Sequence, residues 1–183
     1  MKEIEYYSDI LNYFLQIMEE HFSNKNFQFW GGTTNIKNTI LEIPDKYNSL
    51  RKKLLLEIIP VKTDIDIVCY NNNNGKYVIL IIEVKIGNLT LNYLSQLMGY
   101  LNVTGISIGL LLNVEYGLSS DFMEIVEIKP KLLDYEIIQD SRRNIRIGLV
   151  NWNPNTGLKL RFYGKDPIKT IDILLEIIAR ELN

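Results

Sequence analysis

The sequence predicts a single α/β (α+β) domain over residues 1–183, with a central mixed β-sheet flanked by helices. Three features indicate this class: an amphipathic helix near the N-terminus, two β-branched strands joined by an asparagine-rich turn, and a second helix after them. Helices and strands that alternate in this way pack as layers around one sheet. The 183 residues, 46% hydrophobic and 23% charged, fit one domain of ordinary composition.

The N-terminal region predicts a helix over residues 5–21, because apolar residues recur there at intervals of three and four. His21 falls at the C-terminal end of this helix, where the dipole favours a positive charge. The next forty residues are polar and contain Gly31 and Gly32. We predict that they are loop, with one short helix over residues 46–55.

A β-hairpin is predicted next, with strands over residues 65–70 and 77–85. The residues between these strands, 71–76, are four asparagines, a glycine and a lysine, which are typical of a turn. The second strand is apolar on both faces. We therefore expect it at the centre of the sheet, covered on both sides.

The second half of the chain predicts a helix over residues 90–102, with Thr90 as its N-cap and Gly105 beyond its end, then a strand over 106–113. Further strands are predicted at 122–128, 134–139, 145–150 and 158–163. A closing helix is predicted over 167–182, with Pro167 in its first turn. Its apolar stripe predicts either a homodimer contact or burial in the chain's own core, and consists of Ile168, Ile171, Leu175, Ile178 and Leu182.

The composition excludes several kinds of functional site. One cysteine, Cys69, rules out an internal disulfide framework and a cysteine-rich zinc site, and one histidine rules out a cluster of imidazole ligands. The chemistry must therefore rest on carboxylates, lysines and hydroxyls. The N-terminus does not resemble a secretory signal, and the apolar runs fall short of the roughly 20 residues of a membrane span. We expect a soluble cytoplasmic protein with no membrane partner.

Ionisable residues gather at one end of the predicted hairpin. Glu83 and Lys85 lie on the same face of the second strand, because side chains alternate along a strand. The first strand brings Asp64 and Asp66 to the same end. Buried charges are costly unless they are paired or functional, and carboxylate oxygens are the preferred ligands of Mg²⁺.

The hairpin register decides which aspartate lies opposite Glu83. A six-residue loop places Asp64 there, and a four-residue loop places Asp66 there. Shorter hairpin loops are more common, so the sequence favours Asp66, with Asp64 as the second choice.

These residues resemble a known family. Asp66, sixteen intervening residues and Glu83-Val84-Lys85 resemble the D…(D/E)xK signature of the PD-(D/E)XK nuclease superfamily. Gln96 and Tyr100 are similar to the QxxxY motif of RecB-type nucleases, and residues 92–113 resemble the corresponding segment of the GxxExxY proteins. The resemblance covers about residues 63–113. It implies a restriction-endonuclease-like core of order α-β-β-β-α-β, whose first strand would lie before Asp64.

The resemblance also implies an activity, namely hydrolysis of phosphodiester bonds with Mg²⁺ or Mn²⁺ as cofactor. The substrate would be DNA, with RNA not excluded, and the enzyme an endo- or exodeoxyribonuclease. A nuclease-fold module that binds nucleic acid or protein without catalysis is the alternative. The implied metal ligands are Asp66, Glu83 and the carbonyl of Val84, with Asp64 as the alternative aspartate, and the implied catalytic residues add Lys85, Gln96 and Tyr100. A glutamate of the first helix, Glu19 or Glu20, would complete the site.

Two other motifs bear on function. Between Lys129 and Lys169 the chain has nine Lys or Arg residues and four acids, and within this segment Arg142, Arg143 and Arg146 predict either phosphate contacts or an exposed basic turn. Asp64-Ile65-Asp66 also matches the DxD motif of glycosyltransferases. No nucleotide-binding strand-loop-helix unit precedes it, which argues against that class.

Overall fold

The structure is a computed structural model that describes residues 2–23, 26–44, 52–57, 62–138, 142–156 and 159–183. Its α-helices are α1 (Tyr7–His21), α2 (Ile36–Leu41), α3 (52–57), α4 (Leu91–Thr104), α5 (Ser120–Ile128) and α6 (Ile171–Leu182). Its strands are β1 (Phe27–Thr33), β2 (Ile65–Asn71), β3 (Tyr77–Ile86), β4 (Ile108–Val114), β5 (Asp134–Ile138), β6 (Arg142–Trp152) and β7 (Leu160–Phe162).

The described strands form one mixed sheet, which confirms the predicted α/β class. Their order is β1-β2-β3-β4-β6-β5, and β7 also pairs with β6. The first three strands are antiparallel, β4 and β6 run parallel to β3, and β5 and β7 are antiparallel to β6. The parallel step from β3 to β4 requires a crossover, and α4 supplies it.

Helices cover both faces of the sheet. On one face α1 and α6 pack against the even-numbered side chains of β3, including Leu80, Ile82 and Val84. On the other face α2, α4 and α5 pack against Ile79 and Ile81. Strand β3 is therefore buried along almost its whole length, which confirms the central position predicted from its apolar sequence.

Strand β1 occupies a segment that we predicted to be loop, so that prediction is wrong. Gly31 and Gly32 suggested a loop, but both lie within β1. A β-carbon on Gly31 would lie 2.5 Å from the carbonyl oxygen of Asp66 and 2.7 Å from Leu11 Cδ1. These glycines mark a close approach of β1 to its neighbours, which is the other common reason for glycine in a strand.

Two further element predictions need correction. The strand predicted at 122–128 is helix α5, which begins where the Ser119 hydroxyl accepts a hydrogen bond from the Phe122 N–H. The closing helix begins after Pro167, because Thr170 is its N-cap and accepts from the Ile173 N–H. Most of the short helix predicted over 46–55 lies outside the described residues, while 52–57 are helical.

Helix α4 follows the prediction closely. Thr90 precedes it in an extended conformation, and Gly105 ends it with φ of 66°, a conformation that glycine adopts without strain. This helix is important for the site because it starts beside the end of β3.

The closing helix buries its apolar stripe. Leu175, Ile178 and Leu182 are at most 2% exposed and pack in the core formed with α1 and the sheet. The stripe therefore gives no support to the homodimer, which stays a prediction. Within the described ranges, none of the helices has the length and apolar character needed to span a bilayer.

We expect Gly31→Ala to lower the free energy of unfolding by about 1–3 kcal/mol, because the added methyl group would overlap the backbone of β2. Gly99→Ala is the matched control. Gly99 lies in α4, and a β-carbon there would meet no neighbouring atom within 4 Å, so alanine should stabilise the helix by about 0.5–1 kcal/mol. Urea unfolding measures both, and equal effects at the two positions would contradict the proposed close approach.

Candidate functional site

The register of β2 against β3 sets the geometry of the site. Tyr70 lies opposite Tyr77 and Asp66 opposite Ile81, so the hairpin has the longer, six-residue loop. The prediction that Asp66 lies opposite Glu83 is wrong, and continuing the register past the start of β2 brings Asp64 to that position.

The asparagines of the loop explain this register. The side chain of Asn71 accepts a hydrogen bond from the Asn73 N–H, and Gly75 adopts a φ of 72°. Asn71 and Asn74 both donate to the carbonyl oxygen of Leu182, at 3.0 and 2.9 Å. The longer loop is thus held against the end of α6, a tertiary contact that loop-length statistics do not include.

Asp64, Glu83 and Lys85 meet near the C-terminal end of β3, where β3 extends past the start of β2 but still pairs with β4. Lys85 Nζ lies 2.6 Å from Glu83 Oε1 and 3.7 Å from Asp64 Oδ2. The side chain of Asp64 is 21% exposed, against 2% for Glu83 and 10% for Lys85. Two carboxylates and one ammonium group therefore share one partly open position, with Asp64 on the solvent side.

Burial and charge shift the pKa values of this group. Burial raises the pKa of Glu83, the negative charge of Asp64 raises it further, and the ion pair with Lys85 opposes both effects. Burial acts to lower the pKa of Lys85. The hydrogen bond to Glu83 and the charges of the acids outweigh burial, so the pKa of Lys85 is raised and the ammonium stays protonated at neutral pH.

The backbone of Val84 faces Asp64. The Val84 N–H donates to Asp64 Oδ2 at 2.8 Å. In a strand the N–H and C=O of one residue point to the same side, so the carbonyl of Val84 lies on the side of Asp64 as well. Two carboxylates and one carbonyl are therefore available as oxygen donors.

The start of α1 and the 3₁₀ turn before it, Glu3–Glu5, each contribute one residue that the sequence analysis missed. The Tyr7 hydroxyl donates to Asp64 Oδ1 at 2.6 Å. Burial and this hydrogen bond both raise the pKa of Tyr7. Glu3 Oε1 accepts from the Ile86 N–H at 3.3 Å. The helical pattern identified Tyr7 only as a core residue, because periodicity indicates a buried face and not the partner of a hydroxyl group.

The helix glutamates predicted for the site lie elsewhere. Glu19 and Glu20 are twelve and thirteen residues beyond Tyr7, which is roughly 18–20 Å along the helix axis. Glu19 lines a groove of about 510 Å³ beside β1, and Glu20 accepts a hydrogen bond from Gln16. Glu3 is the glutamate that the N-terminal region places near Glu83 and Lys85.

Asp66 lies in a separate environment beside β1 and α2. It is fully buried, and the Thr63 hydroxyl donates to its Oδ1 at 3.0 Å. Burial raises the pKa of Asp66 from 3.8 to about 6, against the lowering effects of Thr39, Thr63 and the Gly32 N–H. The side chain is on the same face of the hairpin as Glu83, but its hydrogen bonds run towards Thr63 and β1.

Helix α4 brings an aromatic ring to the lysine. Lys85 Nζ lies 5.3 Å from the centre of the Tyr93 ring, within the range of a cation–π contact. Gln96 is exposed and donates to the Tyr100 hydroxyl at 3.3 Å. Tyr93, Gln96 and Tyr100 share one helical face. Of these, Tyr93 contacts the ionisable cluster, by which we mean Asp64, Glu83 and Lys85.

The predicted arginine contacts lie towards the other end of the sheet. Arg146 is aligned with Ile108 and Leu80, so its backbone is five residues, or roughly 17 Å, from the level of Lys85. Arg146 pairs with Glu181 at 2.9 Å, while Arg143 donates to the Gly105 carbonyl. Arg142 precedes both in β6, and its side chain lies outside the described part of the structure. The structure does not bring these arginines to the carboxylates.

Among the described residues, no three Asp, Glu, His or Cys side chains form a group arranged to hold a metal ion. A site here would therefore use Asp64, Glu83 and the Val84 carbonyl.

No family model matches the chain, and no curated protein or solved structure is significantly similar to it.

The raised pKa of Asp66 predicts a pH dependence of stability in EDTA. Because folding favours the protonated carboxyl, its stabilisation is complete below about pH 4 and is lost as pH rises through about 6. A tenfold change in proton affinity is worth about 1.4 kcal/mol, so the loss amounts to roughly 3 kcal/mol.

Asp66→Asn should remove this part of the pH profile, as measured by urea unfolding between pH 4 and 7. Glu176→Gln, which changes an exposed carboxylate of α6, is the control and should leave the profile unchanged. Parallel profiles for wild type and Asp66→Asn would show that the buried carboxyl does not titrate in this range.

Proposed function

We propose that the protein is a metal-dependent nuclease that hydrolyses phosphodiester bonds, with Mg²⁺ or Mn²⁺ as cofactor and DNA as substrate. The observation that carries this proposal is the meeting of Asp64, Glu83 and Lys85 at the end of the central strand. Asp64 replaces Asp66 as the aspartate nearest to the glutamate and the lysine.

The donor set fits a hard divalent cation. Mg²⁺ commonly takes one or two protein carboxylates and completes its octahedron with water and substrate phosphate oxygens. Asp64 and Glu83 supply the carboxylates, and the Val84 carbonyl lies on the same side. A divalent cation beside Glu83 would also offset the cost of burying its negative charge. Without the cation, the single positive charge of Lys85 has to balance both Glu83 and Asp64.

The fold gives separate support. From α1 to β4 the chain has one helix, three antiparallel strands, a crossover helix and a strand parallel to the third, with the short helices α2 and α3 inserted between the first two strands. Apart from this insertion, it is the element order that the resemblance to the PD-(D/E)XK superfamily implies. A shared fold alone does not establish a shared reaction, so the proposal rests on the site residues.

The side chains have distinct roles in the proposed reaction. Asp64 and Glu83 would hold the metal, which would supply charge stabilisation and activate a water molecule. Lys85 orients the attacking water and donates a hydrogen bond to the phosphate, since its ammonium lies beside both carboxylates. Tyr7 is a positioning residue, because its hydroxyl fixes one oxygen of Asp64 and leaves the other towards Val84.

A catalytically silent nuclease-fold module is the second candidate. The observation that favours it is the 2.6 Å ion pair, in which Lys85 already balances the charge of Glu83. Such a module would bind nucleic acid or protein without needing a divalent cation. Metal binding therefore separates the two candidates.

We expect Mn²⁺ to bind the wild-type protein, and Asp64→Asn and Glu83→Gln each to weaken this binding by at least about tenfold because each removes a charged ligand. Lys85→Met should retain Mn²⁺ binding but lose cleavage by about 100-fold or more, because lysine is not a ligand but acts on the water. Isothermal titration calorimetry measures binding, and assays on single-stranded, double-stranded and branched DNA measure cleavage.

Asp66→Asn is the matched control and should retain Mn²⁺ binding. If it loses binding while Asp64→Asn keeps it, the aspartate assignment made from the register is wrong. Cleavage that survives both Glu83→Gln and Lys85→Met would reject the site. Absence of Mn²⁺ binding to the wild-type protein would favour the silent module.

A further inference from the structure

A polar network centred on the buried Asn113 lies next to the proposed site, on the neighbouring strands. Lys85 is aligned with Asn113 of β4, and Asn113 with Asn151 of β6. Asn151 is in turn opposite Arg161 of β7. Aligned residues of adjacent strands share a face, so these four side chains form one row on the α4 side of the sheet, with neighbouring strands about 4.8 Å apart.

The network holds the backbone of one exposed aromatic residue. The carbonyl of Tyr116 accepts hydrogen bonds from Asn113 Nδ2, from Asn151 Nδ2 at 2.7 Å and from the Tyr163 hydroxyl at 3.2 Å. Asn113 is fully buried, and its Oδ1 accepts from Asn151 and shares the single Tyr163 hydroxyl proton with the Tyr116 carbonyl, at 2.8 Å from that hydroxyl. Three side chains thus converge on a single carbonyl group, while Tyr116 itself stays 54% exposed.

The residue before Tyr116 is held in an unfavourable conformation. Glu115 has φ of 67°, a value that residues other than glycine rarely adopt and that costs of order 1 kcal/mol or more. Its carboxylate accepts a hydrogen bond from the Tyr6 hydroxyl at 3.5 Å. The loop is therefore fixed from both faces of the sheet in a shape that exposes a tyrosine ring.

Arg161 supplies an available positive charge in the same row. It is exposed, and within the described ranges its side chain has neither a hydrogen bond nor an ion pair, while its backbone pairs with Asn151. Two cations that follow it in the chain are already paired, Lys165 with Glu127 and Lys169 with Asp166. Arg161 is also close enough to Tyr163 to oppose the effect of burial on the pKa of that phenol.

We infer that Tyr116 and Arg161 bind single-stranded nucleic acid beside the metal site, Tyr116 by stacking on an unpaired base and Arg161 by pairing with a backbone phosphate. The inference rests on the proposed function and adds the substrate class. An exposed aromatic ring on a backbone held by hydrogen bonds and a neighbouring cation are two elements of single-strand recognition, and a base inside a duplex does not expose its face for stacking.

The test measures binding of labelled single-stranded DNA and RNA, and of the matching DNA duplex, by fluorescence anisotropy in EDTA. Tyr116→Ala should weaken single-strand binding by about 5- to 150-fold, whereas Tyr116→Phe keeps the stacking surface and should bind like wild type. Binding of the DNA duplex should be the same for Tyr116→Ala as for the wild type. Arg161→Ala should reduce the salt dependence of single-strand binding by about 0.7 in the log–log slope, and Arg161→Lys should preserve it.

Two exposed residues that belong to neither proposed contact serve as controls. Ile128→Ala removes an exposed apolar side chain and Arg180→Ala an exposed cation, and neither should alter binding. Because Tyr116 and Arg161 are exposed, their variants should fold, and thermal unfolding checks this. Equal losses on DNA and RNA would indicate that the site reads unpaired bases, and a loss on one only would identify the natural strand.

Single-strand binding that is unchanged in both Tyr116→Ala and Arg161→Ala would overturn the inference, as would equal losses on single strands and duplex in Tyr116→Ala. The proposed function would be unaffected, since the experiment contains no metal. Conversely, a wild-type protein that binds single strands through Tyr116 but does not cleave them with Mg²⁺ or Mn²⁺ would contradict the nuclease proposal and leave the single-strand inference standing.

Discussion

The pairing of Tyr70 with Tyr77 is the constraint on which the site depends. It sets every other partner along β2 and β3, and at the far end of the hairpin it brings Asp64 to the level of Glu83. A shift of two residues would exchange Asp64 for Asp66 without turning any side chain to the other face. The choice between the two aspartates is therefore made about 20 Å away, where Asn71 and Asn74 bind the end of α6.

The charges of the site are supported from several directions. Glu83 is almost fully buried and relies on Lys85, while Asp64 is held by the Val84 N–H and the Tyr7 hydroxyl. Removing one member of such a buried group leaves its partner uncompensated, which is more costly than the pair itself. Catalytic sites often carry arrangements of this kind, because a fixed charge distribution needs no rearrangement during the reaction.

The sequence predicted those parts of the fold that local patterns determine. The continuous apolar run of β3 indicated a central strand, and Thr90 and Gly105 marked the ends of α4. Strand β1 was missed because glycines that permit close packing look the same in a sequence as glycines that form loops. Helix α5 was predicted as a strand because its β-branched residues outweighed the capping signal of Ser119.

The candidate site was predictable in kind but not in detail. Strand alternation identified Glu83 and Lys85 as neighbours on one face. Statistics of loop length placed Asp66 opposite Glu83, whereas the observed register brings Asp64 there. Tyr7 and Tyr93 could not be identified, because their roles come from the packing of α1 and α4 on the sheet. Arg142, Arg143 and Arg146 were predicted as phosphate contacts from their charge alone. They lie in the first part of β6, which runs parallel to β4, so their backbone is at the end of the sheet opposite to Lys85.

The burial of β3 on both faces has a consequence for how the site is lost. Up to Ile82, β3 has helices on either side and partner strands along both edges and cannot fray by itself, so the amide hydrogens of this part should exchange with solvent only when the whole domain opens. Glu83 and Lys85 follow directly on this protected part and stay paired with β4. Partial unfolding of the periphery would thus leave the ionisable cluster intact, and its disappearance would coincide with cooperative collapse of the fold.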